Sequence, residues 1–381
     1  MKTRTAEIAG GGIGGLSLAW ALATYGWKVR VHERSPAIRD IGAGIYLMDN
    51  SLSIFEHHGL ADELMSDGVV YIGTERREHN GSLTSRRLFK PGQQWYGLVR
   101  SDLLRKIASF AERAGVEIVL DSHIKSIDPK GALVSDNGEV HQADLVVAAD
   151  GWRSRLRDQL GLLKFAGERN SGAIRCLIPR GEMESDLMAR EFWSGRFRVG
   201  VVAVSPTQTY TFLSSPNAAS EHVRLPINTA PWKKSFPVLR DFFDRITPDI
   251  SATRNPYAYV SVNGWHKGRA AVIGDACHAL PPTLAQGAGL AITNGYALAH
   301  TLSQEADVQT ALETWQKKYW EVTQRTQNWS LLIDVLTTRW PRPLTLVRRG
   351  VVRALAFNSI NSYARVADRV RMTSSGVAVP Q

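Results

Sequence analysis

The residues whose spacing first points to chemistry are the glycines of Ala9-Gly10-Gly11-Gly12-Ile13-Gly14-Gly15-Leu16. Gly10, Gly12 and Gly15 form a Gly-x-Gly-x-x-Gly pattern. It follows a short apolar strand pattern, Ala6 to Ala9, and leads into a helical pattern over Leu16 to Tyr25. A second strand pattern, Lys28 to His32, ends in Glu33. Strand, glycine turn, helix, strand and acid, in that order, make a dinucleotide fingerprint. Gly10 permits the tight turn, Gly12 lets backbone approach a pyrophosphate, and Gly15 lets helix and strand pack closely. The helix start, with Ile13 and Gly14 inside the same turn, presents unpaired N–H groups and a positive dipole end to phosphates. Glu33 can accept hydrogen bonds from a ribose. The pattern alone leaves NAD and FAD open.

Two more glycine motifs follow apolar runs. Leu145 to Ala149 reads as a buried parallel strand and ends in Asp150-Gly151; Arg269 to Ile273 reads the same way and ends in Gly274-Asp275. Ligands of open α/β sheets collect at such carboxyl ends. Farther on, Gln286-Gly287-Ala288-Gly289 opens a long helix, Leu290 to Leu302. The loop after this β-α-β unit, Arg39 to Ile45, holds Gly42 and Gly44 on either side of Ala43, which suits a close backbone approach to a ligand.

The elements that position these motifs are an α/β framework with a sheet inserted into it. Residues 1–70, 101–170 and 265–305 are expected to form one split, Rossmann-like unit. Residues 71–100 and 171–264 are expected to form an antiparallel sheet that builds a substrate pocket, and 306–381 a helical C-terminal region. Within the inserted part, Asn80-Gly81 signals a hairpin. Strand patterns run over Ala173–Ile178, Phe197–Val204, Thr209–Ser214 and Tyr257–Val262, with one helix over Pro231–Arg245. Ser101 to Ala114 reads as a helix capped by Ser101. Val116–Leu120 and Ile124–Ile127 read as strands.

Composition narrows the class. The 381 residues are 44% hydrophobic and 22% charged, as in ordinary globular chains. No apolar run reaches the roughly 20 residues that span a bilayer. Met1 to Thr5 leads straight into the first strand, so a cytoplasmic protein is expected. Cys176 and Cys277 are the only cysteines, too few for a disulfide framework or a cysteine-rich metal site. His57, His58, His278 and His300 form no ligand pattern, so no metal is expected. The net charge of +10 fits nucleic acid, an anionic membrane or small anionic ligands. No nucleic-acid module is visible, and small anions are the favoured reading.

With these motifs in this order, the chain resembles the single-component flavin-dependent aromatic hydroxylases, the group of 4-hydroxybenzoate and salicylate hydroxylases. The resemblance covers nearly the whole chain. It rests on Gly10 to Gly15, on Asp150-Gly151, and on Gly274-Asp275-Ala276 with His278 and Pro282 following. Gly42 to Leu47 and Leu284 to Gly289 are locally most similar to oxygenases of hydroxypyridine carboxylates. The resemblance implies FAD as the dinucleotide, with NADH or NADPH as transient co-substrate. It places Glu33 on the adenosine ribose with Arg34 beside it, and Arg100 near the ribityl or phosphate region. Asp275 would hold the ribityl chain, and Ile124 would offer backbone to the adenine. Asp150 and its neighbouring arginines would serve both FAD and NAD(P)H. Gly42, Ala43 and Gly44 would pass near the isoalloxazine. The helix at Gly287 and Ala288 would aim its N-terminus at the charged edge of reduced flavin, an interaction of about 0.3–1 kcal/mol when exposed and up to about 2 kcal/mol when partly buried.

The implied activity is insertion of oxygen from O2 into an anionic hydroxylated aromatic or pyridine ring through a flavin C4a-hydroperoxide, with ring opening as a sharper version. The cofactor carries that chemistry, so no catalytic side chain is assigned. Arg198 and Tyr210 are the substrate candidates from the inserted sheet, with Arg196 and Arg175 as rivals. Thr74 stands where hydroxypyridine oxygenases offer a tyrosine. Alternatives are a hydroxylase of a lipophilic quinone-type ring at a membrane surface, a flavin-dependent reductase, and a redox-sensing flavoprotein without turnover. The Trp-x-Trp-x-Ile-Pro motif of flavin halogenases is missing. A basic helix over Leu346–Phe357, with Arg348, Arg349 and Arg353, suits a membrane surface or packing across the FAD unit or a subunit interface; packing is the favoured reading. A monomer or homodimer is expected.

Overall fold

The computed structural model describes residues 3–38 and 42–338, Val347, Gly350, and two short strands, Arg371–Thr373 and Gly376–Ala378. Arg39 to Ile41 and all but Val347 and Gly350 of the basic helix expected at Leu346–Phe357 lie outside the described residues.

Strands buried on both faces read as continuous apolar runs and favour parallel pairing. Leu145–Ala148 and Ala270–Val272 fit that rule and are wholly buried, whereas the parallel strand Thr5–Ala9 is interrupted by Glu7, which pairs with His32. All three lie side by side in a six-stranded sheet. Its order is His266–Lys267, Ala270–Val272, Leu145–Ala148, Thr5–Ala9, Lys28–His32 and Glu117–Val119. Only the His266–Lys267 pairing is antiparallel. The three central strands therefore deliver Gly10, Asp150 and Gly274 to one edge.

The first helix runs from Ile13 to Thr24, three residues ahead of the expected Leu16. Its cap is Gly12, in extended conformation and with no side chain to satisfy the helix N–H groups. Glycines carry no apolar periodicity, which is why the pattern shows only the later turns. Gly10 takes a φ of +115°, which only glycine adopts without strain. A Cβ on Gly15 would overlap the carbonyl oxygen of Gly10. The helix Gly287–Gln304 packs against this one, and Val308–Thr338 packs outside it. The helix expected from Ser101 begins instead at Arg100, with Val99 as its cap. The Arg100 N–H bonds to Ala43 O at 3.2 Å and pulls the start one residue earlier.

The second large sheet has seven strands. Their order is Ala252–Val262, Leu163–Pro179, Gln208–Pro216, Phe197–Ala203, Met188–Ser194, Gly73–Glu78 and Leu83–Leu88. All pairs are antiparallel except Gly73–Glu78 with Met188–Ser194. Leu163–Pro179 begins ten residues before the expected Ala173 and is 17 residues long. Met188–Ser194 carries no strand signal in its sequence, because Arg190 breaks the apolar pattern and is buried only by its ion pairs. The expected helix Pro231–Arg245 is broken into Thr229–Ser235, Pro237–Leu239 and Arg240–Asp244. Pro237 cannot continue a helix and disfavours helical backbone in the residue before it.

Side chains alternate across a strand. Ile174, Cys176, Ile178, Val199, Val201 and Leu213 face a layer made by Trp232, Phe236, Leu239, Phe242 and Phe243. The opposite parity, which includes Arg175, Arg198, Tyr210 and Phe212, faces inward and lines a cavity. A third small sheet, Gly44–Met48, Trp95–Val99 and Val69–Tyr71, closes that cavity between the two larger ones.

Two glycine substitutions should separate folding from binding. Gly15→Ala is expected to lower the thermal midpoint of the apoprotein, because its Cβ must push the Gly10 turn aside. Gly12→Ala, whose Cβ meets no protein atom within 4 Å, should leave that midpoint unchanged and weaken nucleotide retention. Thermal melts of stripped protein and flavin content of purified protein check both.

Candidate active site

A cavity of about 660 Å3 runs from the glycine turn to the inner face of the seven-stranded sheet. At one end it is lined by Gly12, Ile13 and Gly14; in the middle by Gly42, Ala43, Gly44 and Arg100; then by Asp275, Gly287 and Ala288. Four segments far apart in sequence thus share one wall. A Cβ on Gly12 or on Gly287 would meet no protein atom within 4 Å, so both face open cavity. Each of these glycines starts or caps a helix whose first N–H groups have no partner within the helix. Gln286, the cap of the second helix, makes no side-chain capping bond to that helix. Its Oε1 accepts from Asn50 Nδ2 at 3.1 Å, and its Nε2 points at Met48 Sδ at 2.8 Å. Two bare helix N-termini in one cavity suit a ligand with phosphates at one end and an acceptor edge at the other.

Glu33 ends its strand beside the glycine turn. Its Oε2 accepts the Gly11 N–H at 2.8 Å and its Oε1 the Ser35 N–H at 2.9 Å. Each carboxylate oxygen keeps a second lone pair. Arg34 is exposed, and Ile124 is buried at the start of its strand. Glu33, Arg34, Ile124, Gly10, Gly15 and Asp150 do not line the large cavity, whereas Ala149, Gly151 and Arg153 do. Arg153 stacks on Trp152 at 4.4 Å and pairs with Glu168 at 2.7 Å.

Arg157 has a part that the sequence did not disclose. It is buried, with its Nη1 donating to Trp152 O and Ala276 O, both at 3.0 Å. It thereby fastens the loop after Asp150 to the turn after Asp275. The only advance sign is that it is one of three arginines, Arg153, Arg155 and Arg157, that closely follow Asp150-Gly151.

The inner face of the sheet supplies the other wall. Tyr210 packs so closely on Gly44 that a Cβ there would overlap its ring. Sheet and loop therefore touch at the expected flavin and substrate positions. Burial raises the Tyr210 phenol above its ordinary range, and the Arg175 charge partly offsets the rise. Arg198 reaches the cavity already paired: its Nη1 lies 3.3 Å from Glu191 Oε1. Its Nη2 lies 3.4 Å from Ser214 Oγ and 3.5 Å from Tyr257 Oη. Arg190 is paired with Glu75 at 3.0 Å. Arg175 contacts no carboxylate among the described residues; it stands beside the Tyr210 phenol and lies 5.9 Å over the Tyr257 ring. Arg196 sits in the turn between two strands and does not line the cavity, whereas Thr74 does. Trp329, Ile333 and Leu336 form an apolar wall beside Pro282 and Leu284.

Comparison with known proteins agrees with this geometry. A family model described as an FAD binding domain matches residues 2–330. A 2-heptyl-3-hydroxy-4(1H)-quinolone synthase of Mycobacteroides abscessus is 36% identical over 325 residues, which is 83% of this chain and 86% of the relative. A solved 2-methyl-3-hydroxypyridine-5-carboxylic acid oxygenase, described as tetrameric, is 31% identical, with 99% of this chain and 100% of the other covered and a TM-score of 0.86. The fold also matches that of Klebsiella pneumoniae HpxO, solved with FAD and uric acid, at 22% identity, 98% and 97% coverage and a TM-score of 0.82. The chain belongs to the FAD-dependent aromatic hydroxylase family. It is an FAD-dependent monooxygenase, with the mixed α/β architecture of that family.

Glu75 holds part of the cavity wall in place. Burial alone would raise its carboxyl, but hydrogen bonds from Arg77 and Arg86 and the charges of Arg190 and Arg77 hold it at about 2. A group depressed in the folded state stabilises fully above its ordinary value and loses that contribution as pH falls through the folded value. The difference in unfolding free energy between wild type and Glu75→Gln should be constant above pH 5. It should shrink as pH falls from about 4.5 toward about 2, as denaturant titrations at stepped pH would show.

Proposed function

We propose that this monooxygenase hydroxylates a nitrogen-containing aromatic ring that carries an acidic ring oxygen and an apolar substituent, of the alkyl-4-quinolone kind. Arg175 carries this reading. It is the cavity arginine that meets tyrosines and no carboxylate among the described residues, so its charge is left for an anionic oxygen. Arg198, the first candidate from sequence, spends its charge on Glu191 and acts as a support for Tyr257 and Ser214. Tyr210 lies between Arg175 and Gly44 and would orient the ring toward the flavin. Trp329, Ile333 and Leu336 would take the apolar substituent. A relative named for making a heptyl quinolone supports the same direction.

FAD fits the cavity, and when bound and reduced by NADH or NADPH it supplies the activated oxygen. Gly12, Ile13 and Gly14 would hold its pyrophosphate, Glu33 its adenosine ribose, and Asp275 and Arg100 its ribityl side. The N–H groups at Gly287 and Ala288 would face the flavin edge. The remaining task of the protein is to exclude water and orient the ring, and no described side chain is assigned a proton-transfer role. We assign the reaction to the cytoplasm, where both reduced nicotinamides are found.

The second reading is ring opening of a hydroxypyridine carboxylate, favoured by the 31% identical oxygenase. Incubation with NADH, O2 and either a 2-alkyl-4(1H)-quinolone or a hydroxypyridine carboxylate decides between them by product mass. The quinolone is expected to gain one oxygen atom and to stimulate NADH oxidation. Consumption of the pyridine acid alone, with two oxygen atoms gained, would replace this reading by the second. Arg175→Gln should raise KM about tenfold to a hundredfold, the worth of a hydrogen bond to a charged group, with flavin content unchanged.

A further inference from the structure

A second concavity, of about 510 Å3, lies at the far edge of the parallel sheet, between Lys28–His32, Glu117–Val119 and the hairpin of Ala132–Ser135 and Val140–Gln142. Its chemistry runs against that of the chain. In a protein of net charge +10, it gathers Glu117, Asp121, Asp136 and Glu139 against one arginine, Arg30. His32 and His141 also line it, with their rings 4.5 Å apart. Glu7, on the neighbouring strand, accepts from His32 Nε2 at 2.8 Å. One ring nitrogen of each histidine and one carboxylate oxygen of Glu7 all lie within 4.8 Å of one another. All three residues are more than nine-tenths buried.

The second nitrogens are engaged as well. His32 Nδ1 bonds to Ser122 Oγ at 2.7 Å, and His141 Nε2 to Ser135 Oγ at 2.7 Å. A serine hydroxyl donates or accepts as required, so each ring can present a bare nitrogen to a cation without losing its serine. Histidines that ligate metals are held through the other nitrogen in this way. Two imidazoles and a carboxylate, joined by water or Glu139, form the N2O set of an open zinc-type site. Glu139 Oε1 already stands 3.6 Å from His141 Nδ1.

We propose that Glu7, His32 and His141 bind a divalent transition-metal cation of zinc type. On binding, His32 ligates as the neutral tautomer with its single proton on Nδ1, donated to Ser122 Oγ, so that Nε2 is bare and takes the metal in place of its hydrogen bond to Glu7. Arg30 gives up its 3.5 Å contact with Glu7 and keeps Glu117 at 3.0 Å. The metal then ties two strands of the nucleotide sheet to the hairpin, one residue before Glu33. The cluster went unseen in the sequence because its members are separated by 25 and 109 residues with no motif spacing.

The site does not share the FAD cavity, so its test is independent of the proposed reaction. Untagged, FAD-loaded protein is stripped with a chelator and dialysed against micromolar zinc chloride, and bound zinc is counted by elemental analysis. One zinc per chain and a raised thermal midpoint are expected. His141→Gln should lose at least tenfold in zinc affinity, and Ser135→Ala about 10–100-fold, while His300→Gln keeps the parent value. If His141→Gln fails to retain FAD, Glu7→Gln gives the same readout. Zinc well below one per chain, or undiminished affinity in the folded variants, overturns the proposal.

Discussion

Arg157 ties together two loops that lie more than a hundred residues apart in sequence. Its guanidinium is buried, and a buried charge is tolerated only when its donors are used. Trp152 O, Ala276 O and the Asp158 carboxylate use them. The loop after Asp150 and the turn after Asp275 are therefore fixed relative to each other. The glycine turn follows, because Gly14 packs against Gly274 in that same turn. The nucleotide edge of the cavity is thus one rigid surface made from three strand ends.

The inserted sheet meets that surface through its alternation. Every second residue faces the aromatic layer around Trp232 and Phe236, and the rest face inward. The inward set includes charges, and for two of its arginines the sheet itself supplies the pairing. Glu75 and Glu191 supply it for Arg190 and Arg198. Net positive charge is therefore a poor guide to where an anion binds. What counts is which arginine the fold leaves without a carboxylate.

The nucleotide half was legible because its signals are local. Gly10, Gly12 and Gly15 fall within six residues, and the apolar runs 145–148 and 270–272 are unbroken. Arg198, Tyr210 and the rival Arg175 share the strand parity that faces the cavity. What stayed hidden depends on distant partners. Nothing near Arg198 announces that Glu191, across a hairpin, neutralises it. The strand Met188–Ser194 looks polar until Glu75 is set beside Arg190. Ser101 looked like a cap until Ala43 O claimed the preceding N–H.

The contact of Tyr210 with Gly44 has a mechanical consequence. The ring sits against bare backbone, with no side chain between them to absorb a displacement. Whatever pushes Tyr210 toward that loop must push Gly44 too, and Gly44 opens a strand that pairs with Trp95–Val99. Movement of the cavity-facing Tyr210 phenol is therefore geared to the backbone of the Gly42–Gly44 loop, with the strand pair as the spring that returns it.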